Sequence, residues 1–212
     1  MPGKLKVGVL VSGGGTNLQA IIDRAADGRL DAEVAIVISD VADAFALERA
    51  RRAGIHAAFI NPRDFPDRLA FNRAVIQKLR DHGVELVALA GYLRITSDEL
   101  VDAFAGRIMN IHPSLVPSFC GKGMHGLRVH QAALDYGVKV TGCTVHFATK
   151  QVDAGPIIIQ RTAPVLDDDT AETLSERVLK EEHIAYSEAI QLFAEGRLRI
   201  EGRRVRVLPA KC

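Results

Sequence analysis

The chain has 212 residues, which at about 150 residues per domain predicts one domain or at most two. Its 48% hydrophobic and 25% charged residues exclude wholesale disorder, and no apolar run approaches the roughly 18 residues of a membrane span. Lysine and arginine (27) nearly balance aspartate and glutamate (26), a net charge of +1 that argues against a nucleic-acid grip built on bulk charge.

The first residues, Met1-Pro2-Gly3-Lys4-Leu5-Lys6, have no signal-peptide core. Cys120, Cys143 and Cys212 are too few and too scattered for a disulfide framework. Both features predict a reducing cytoplasm. Apolar, β-rich runs then alternate with helical periodicity. Strands are expected at 7–11, 34–39, 57–60, 84–90 and 107–112, and helices at 16–26, 42–53, 66–82 and 97–105. Thr16 with Gln19 and Thr96 with Glu99 read as capping boxes. Residues 113–126 carry turn chemistry and no apolar period, a long loop of the kind that is often functional. Two antiparallel β-segments are expected at 144–148 and 156–164. A helix follows at 170–194 with Asp169 and Glu172 as a cap pair, and a small hairpin at 198–208. The pattern predicts an α/β fold: a mostly parallel twisted sheet, helices on both faces, and a C-terminal antiparallel extension.

Four features carry chemistry. Ser12-Gly13-Gly14-Gly15-Thr16-Asn17 lies where the first strand turns into the first helix, and free N–H groups of a first helical turn favour a phosphate. The dinucleotide fingerprint needs a third glycine where Leu18 stands, and no GxxxxGK[ST] occurs. Asn110-Ile111-His112-Pro113-Ser114-Leu115 ends a strand, so Asn110 and His112 share one face at the edge where parallel sheets bind ligands. An amide donor beside an imidazole suits acyl transfer, and Pro113 leaves His112 at a solvent-accessible crevice. Asp153, in a glycine-containing turn, is either a turn residue bonding its own backbone or a carboxylate that keeps His112 charged. Glu182 projects between Ala189 and Phe193, inside the stripe formed with Leu174, Val178 and Ala185. A charge there needs a partner or ligand unless it bends outward to water. Cys120, His125 and His130 have four residues between successive members and no CxxC or HExxH pattern, so no metal site is expected.

Ser12-Gly13-Gly14-Gly15-Thr16-Asn17-Leu18, Ala90-Gly91-Tyr92-Leu93-Arg94-Ile95, the Asn110 to Leu115 run, and Asp153-Ala154-Gly155-Pro156 together resemble the phosphoribosylglycinamide formyltransferases, folate-dependent enzymes of purine synthesis. The likeness runs from Val7 to Leu198, and Glu182-His183 narrows it. The departures are Ser114-Leu115-Val116-Pro117 where Ser-Leu-Leu-Pro is familiar, and a longer loop at 118–129. The resemblance implies one formyltransferase domain over 1–212, with a Rossmann-like ribonucleotide- and phosphate-binding half at 1–105 and a catalytic and folate-binding half at 106–212. It implies Asn110, His112 and Asp153 as the catalytic set. Thr16, Asn17, Leu18, Leu179, Lys180, Glu181 and Glu182 fall on ribonucleotide-binding positions. Arg68, Leu93, Arg94, Ile95, Thr96, Asn110, Thr149, Lys150, Gln151, Val152 and Asp153 fall on folate-binding ones. It further implies 10-formyltetrahydrofolate as co-substrate, no metal, small-molecule partners with neither nucleic acid nor membrane, and a monomer or homodimer. The rivals are a formyltetrahydrofolate hydrolase, a methionyl-tRNA formyltransferase and a non-catalytic nucleotide-binding module. The first two resemble longer chains with extensions missing from this sequence.

Overall fold

Val7 to Val11 is an uninterrupted apolar run apart from one glycine, and in the computed structural model, which describes residues 3–210, every residue of that run is buried. A strand buried on both faces is the mark of a parallel sheet covered on two sides. Two compact units divide between Met109 and Asn110. Met1-Pro2 and Lys211-Cys212 lie outside the described residues.

The first unit runs β1 (Leu5–Val11), α1 (Thr16–Ala26), β2 (Ala32–Ser39), α2 (Phe45–Arg52), β3 (Ala57–Phe59), a 3-10 turn (Pro62–Asp64), α3 (Arg68–Asp81), β4 (Leu86–Leu89) and α4 (Asp98–Ala103). Its strands lie in the order β3-β2-β1-β4, with β1 parallel to β2 and β4, and β2 parallel to β3. The ends of β1, β2 and β4 therefore form one edge, from which the glycine turn and the segment after Ala90 emerge.

Two caps differ from expectation. α1 has no side-chain cap, because Gly15 precedes it at φ 71° and Thr16 is already its first helical residue. A β-carbon at Gly15 would strike Ala46, so the turn needs glycine twice over. Ser97, not Thr96, caps α4 by accepting the Leu100 N–H at 3.2 Å.

β5 (Ile108–His112) leads into the second unit, which continues with α5 (Leu127–Tyr136), β6 (Val140–Phe147), β7 (Ile157–Pro164), α6 (Ala171–Ala194), β8 (Leu198–Glu201) and β9 (Arg204–Val207). β6 and β7 are antiparallel, as are β8 and β9, while β7 meets β9 in parallel. α5 was not expected: Val129, His130 and Ala133 are its buried face, too short and too polar a stripe to stand out in the sequence. Thr170, not Asp169, caps α6 in a reciprocal box with Thr173. Asp169 instead accepts two hydrogen bonds from Arg177, at 2.6 and 2.8 Å.

Candidate active site

Strand alternation places Asn110 and His112 on one face of β5, as expected, but His112 does not stand open at a crevice. It is 5% exposed, and its Nε2–H donates to the Phe119 carbonyl oxygen at 2.9 Å. Its Nδ1 faces Asp153 Oδ2 at 3.8 Å. Phe119 holds a left-handed φ of 49°, a conformation that costs a non-glycine residue about 1 kcal/mol or more. The strained turn is what brings its carbonyl over the imidazole. Ser114 Oγ supports the turn by donating to the Ser118 carbonyl at 2.6 Å.

Asp153 lies in the turn between β6 and β7, also at a left-handed φ of 48°. The chain passes so near itself here that a β-carbon at Gly155 would overlap the Phe147 carbonyl oxygen. This turn aims the carboxylate inward. Oδ2 accepts the Gly121 N–H at 2.9 Å, and Oδ1 takes an Asn110 amide hydrogen over 3.4 Å. Its carboxylate thus meets the Gly121 N–H, Asn110 and His112. Burial pushes its carboxyl up, but the neighbouring His146 ring, the Gly121 N–H and the charge of His112 outweigh it and hold the group below the usual 3.8.

His146, which sequence reasoning missed, completes the cluster. Its Nε2 is 3.2 Å from Asn110 Nδ2 and 3.7 Å from Asp153 Oδ1. The available signal was alternation along β6, where Thr144 and His146 share a face. Thr144 Oγ1 donates to the Ser114 carbonyl at 2.7 Å and accepts the Val116 N–H at 3.0 Å, pinning the chain just after His112.

The remaining expected residues fall into local groups. In the first unit, the glycine turn is steadied by α2: Ala46 N–H donates to Gly13 O at 3.2 Å, and Arg49 Nε–H to Gly14 O at 2.8 Å. Gly15 supplies no side-chain cap to α1, whose first turn follows the glycine turn directly. Leu18 is fully buried. Arg68 opens α3 and donates to the Ile95 carbonyl at 2.7 Å, which joins it to the 93–96 segment.

In the second unit, Thr149 Oγ1 donates to Gln151 O at 3.0 Å, closing the 149–153 turn on itself. Leu179 to Glu182 are consecutive on α6, so at about 100° per residue they point around the helix and do not share one ligand face. Glu182 is buried at 8% exposure, as its place in the stripe implied. Glu181 is paired with Arg161 at 2.6 Å, and Lys180 is exposed. Burial, then the charge of Glu182, pushes the Cys143 thiol up to about 12. Cys120 bonds the Pro117 carbonyl at 3.2 Å, while His130 is buried in α5, where burial first and His112 second push it down to about 4. Among the described residues no group of three or more histidine, cysteine or acidic side chains is arranged so that it could hold a metal ion.

A model of the formyl transferase family matches residues 5–190. The chain belongs to the formyl transferase family. The phosphoribosylglycinamide formyltransferase of Escherichia coli (strain K12) is 41% identical over 196 residues, covering 92% of this chain and 90% of that protein. The trifunctional purine biosynthetic protein adenosine-3 of Gallus gallus is 46% identical over 197 residues, 93% of this chain. This chain spans only 19% of that protein's length. Glycinamide ribonucleotide transformylase 1 of Symbiobacterium toebii superposes with a TM-score of 0.94 at 54% identity, covering 99% of this chain and 96% of that one. This formyl transferase thus has the α/β fold expected from its sequence, mostly parallel with antiparallel C-terminal strands.

Proposed function

We propose that this formyl transferase moves the formyl group of 10-formyltetrahydrofolate to the amino group of N1-(5-phospho-D-ribosyl)glycinamide, a step of purine synthesis. The observation that carries the reading is the convergence of Asn110, His112 and Asp153, a hydrogen-bond donor, an imidazole and a carboxylate on one spot. The relatives' names support formyl transfer to this ribonucleotide.

In the reaction, the amine lone pair forms a bond to the formyl carbon and the carbonyl electron pair moves onto oxygen. Asn110 N–H and His112 Nε2–H stabilise that oxyanion, a type of contact worth about 3 kcal/mol per donor. The formyl oxygen would replace the Phe119 carbonyl as the acceptor at Nε2, so binding must displace this contact. Both ring nitrogens of His112 face acceptors, which an imidazolium satisfies. Asp153 holds the ring in place and, through water, takes the proton that the amine loses. Collapse of the intermediate re-forms the carbonyl and breaks the bond from carbon to the folate nitrogen, which leaves as tetrahydrofolate with the proton that Asp153 returns through water.

The glycine turn that opens α1 at Thr16, Asn17 and Leu18 suits the ribonucleotide phosphate, and buried Glu182 suits its polar groups. Arg68, Leu93 to Thr96, and Thr149 to Asp153 suit the folate. The three side chains fill the proton and oxyanion roles, so the reading includes no metal: chelator treatment leaves turnover unchanged, and stoichiometric zinc whose removal abolishes transfer would overturn this part. No helix among the described residues is long and apolar enough to cross a membrane. A cytoplasmic monomer or homodimer is the form we propose.

A hydrolase would use the same three residues but leave the glycine turn and Glu182 without a task, and a nucleotide-binding module would leave the three unused. Tetrahydrofolate release measured with and without glycinamide ribonucleotide decides between them. Release only with the ribonucleotide supports the transferase. Release with formate in its absence would show a hydrolase, and no release a binding module.

A further inference from the structure

The edge formed by the ends of β1, β2 and β4 carries a polar network that the transfer chemistry does not use. Asp40 follows β2 directly, and its side chain is 9% exposed. Its Oδ1 accepts from Ser12 Oγ at 2.6 Å and its Oδ2 from Arg94 Nε at 2.9 Å. Ser12 Oγ in turn accepts the Leu93 N–H at 3.0 Å, and the Ser12 N–H donates to Gly91 O at 3.0 Å. One carboxylate therefore joins the residue that opens the glycine turn to two residues of the 91–96 segment. Arg94 also lies over the Phe71 ring at 5.3 Å. Between these ties Leu93 and Ile95 stand 61% and 47% exposed on backbone that is held in place.

Hydrogen-bond direction makes the acid specific. A serine hydroxyl has one proton, and with Leu93 donating to it, Ser12 is left to give that proton to an acceptor. An ionised Asp40 is acceptor-only and meets both Ser12 and Arg94. Asparagine offers one oxygen and one NH2. In either orientation its NH2 faces the Arg94 Nε–H, donor against donor, or leaves the Ser12 proton without an acceptor. Tyr92 reports the same charge: burial, then Asp40, pushes its phenol up.

We propose that Asp40 is a positioning residue for the folate co-substrate, holding the 91–96 segment through Ser12 and Arg94 in the form that receives the folate. This rests on the reading that sets folate against Leu93 to Thr96. The test uses the full chain with Asp40→Asn, and Ser12→Ala as a second variant should the first fold poorly. Two measurements are made: amide hydrogen exchange over 91–96 without ligand, and steady-state kinetics with each substrate varied. Exchange at the Leu93 amide should rise, and the KM for 10-formyltetrahydrofolate should rise by about 5- to 20-fold, the scale of one charge-assisted hydrogen bond. With Asp40→Asn, kcat and the KM for glycinamide ribonucleotide should stay within about twofold. Unchanged exchange overturns the positioning role whatever the kinetics show. Faster exchange with an unchanged folate KM shows a held segment that folate does not use, which overturns both the proposal and the folate placement. A parallel rise in both KM values marks general loosening and also overturns it. If the unaltered protein transfers no formyl group, the reading of function fails and the proposal with it.

Discussion

Asn110 Nδ2 lies 3.2 Å from His146 Nε2, and the direction of that hydrogen bond is set at the far side of the ring. His146 Nδ1 is 3.0 Å from the Phe147 carbonyl oxygen, which only accepts, so Nδ1 carries the proton and Nε2 is the acceptor. Asn110 therefore donates to His146, and its amide cannot turn over without losing that bond. Its second hydrogen faces Asp153 Oδ1 at 3.4 Å, a contact long enough to be exchanged for a substrate oxygen.

Replacing His146 by phenylalanine keeps a ring in a buried site and removes the acceptor. Asn110 is then oriented only by the longer contact to Asp153. Turnover should fall by about 10-fold, less than the 10²–10³ expected for deleting an oxyanion donor itself. The KM for glycinamide ribonucleotide should hold within about twofold. An unchanged kcat would show that His146 does not orient Asn110.

His112→Ala should lower turnover by about 10²–10⁴-fold and Asn110→Ala by about 10²–10³-fold, with ribonucleotide affinity nearly intact, because both act on the transition state. Single-turnover measurements with both substrates saturating provide the check. A His112 variant that keeps more than half of the original turnover removes it from the mechanism.

Glu182→Gln should weaken glycinamide ribonucleotide binding by roughly 1.5–3 kcal/mol, the loss of a charge-assisted hydrogen bond in a buried place. Folate-analogue binding should change little. Calorimetric titration of each ligand separates the outcomes: an unaltered ribonucleotide affinity, or a loss on the folate side alone, would put Glu182 in the wrong pocket.

Asp169 accepts from Arg177 twice, from the Leu166 N–H at 2.8 Å and from Thr173 Oγ1 at 2.8 Å. Arg177 above all holds its carboxyl well below the usual 3.8. A depressed folded-state value means the stabilisation is full above the unfolded value of 3.8 and is lost as pH falls through the folded one. Asp169→Ala should therefore cost roughly 1.5–3 kcal/mol of stability between about pH 5 and 8. The gap between variant and original in urea melts should close only under strongly acid conditions. A gap that closes near pH 6 would rule out this carboxylate as its source.

Strand positions were legible because β-branched runs such as Val34 to Ile38 state their own burial, and Glu182 was legible because helical periodicity is a property of neighbours along one element. Helix starts were read less well. The capping boxes at Thr16 and Thr96 and the pair at Asp169 each missed by one residue, since the choice depends on which residue's φ leaves the helix, as Gly15 does at 71°.

Asn110, His112 and Asp153 were legible as residue types in a recognisable pattern, and local alternation put Asn110 and His112 together. What only the tertiary structure decided is which atoms face one another across long stretches of chain. Asp40 and Arg94 are 54 residues apart, and Asn110 and His146 are 36 apart. The covering of His112 by the Phe119 carbonyl depends on a strained backbone angle that no propensity favours. Periodicity and capping are local, with energies set within a few residues, so a sequence displays them directly. Hydrogen-bond direction at a buried cluster depends on partners brought together by the packing of separate elements, and it exists only once the chain has folded.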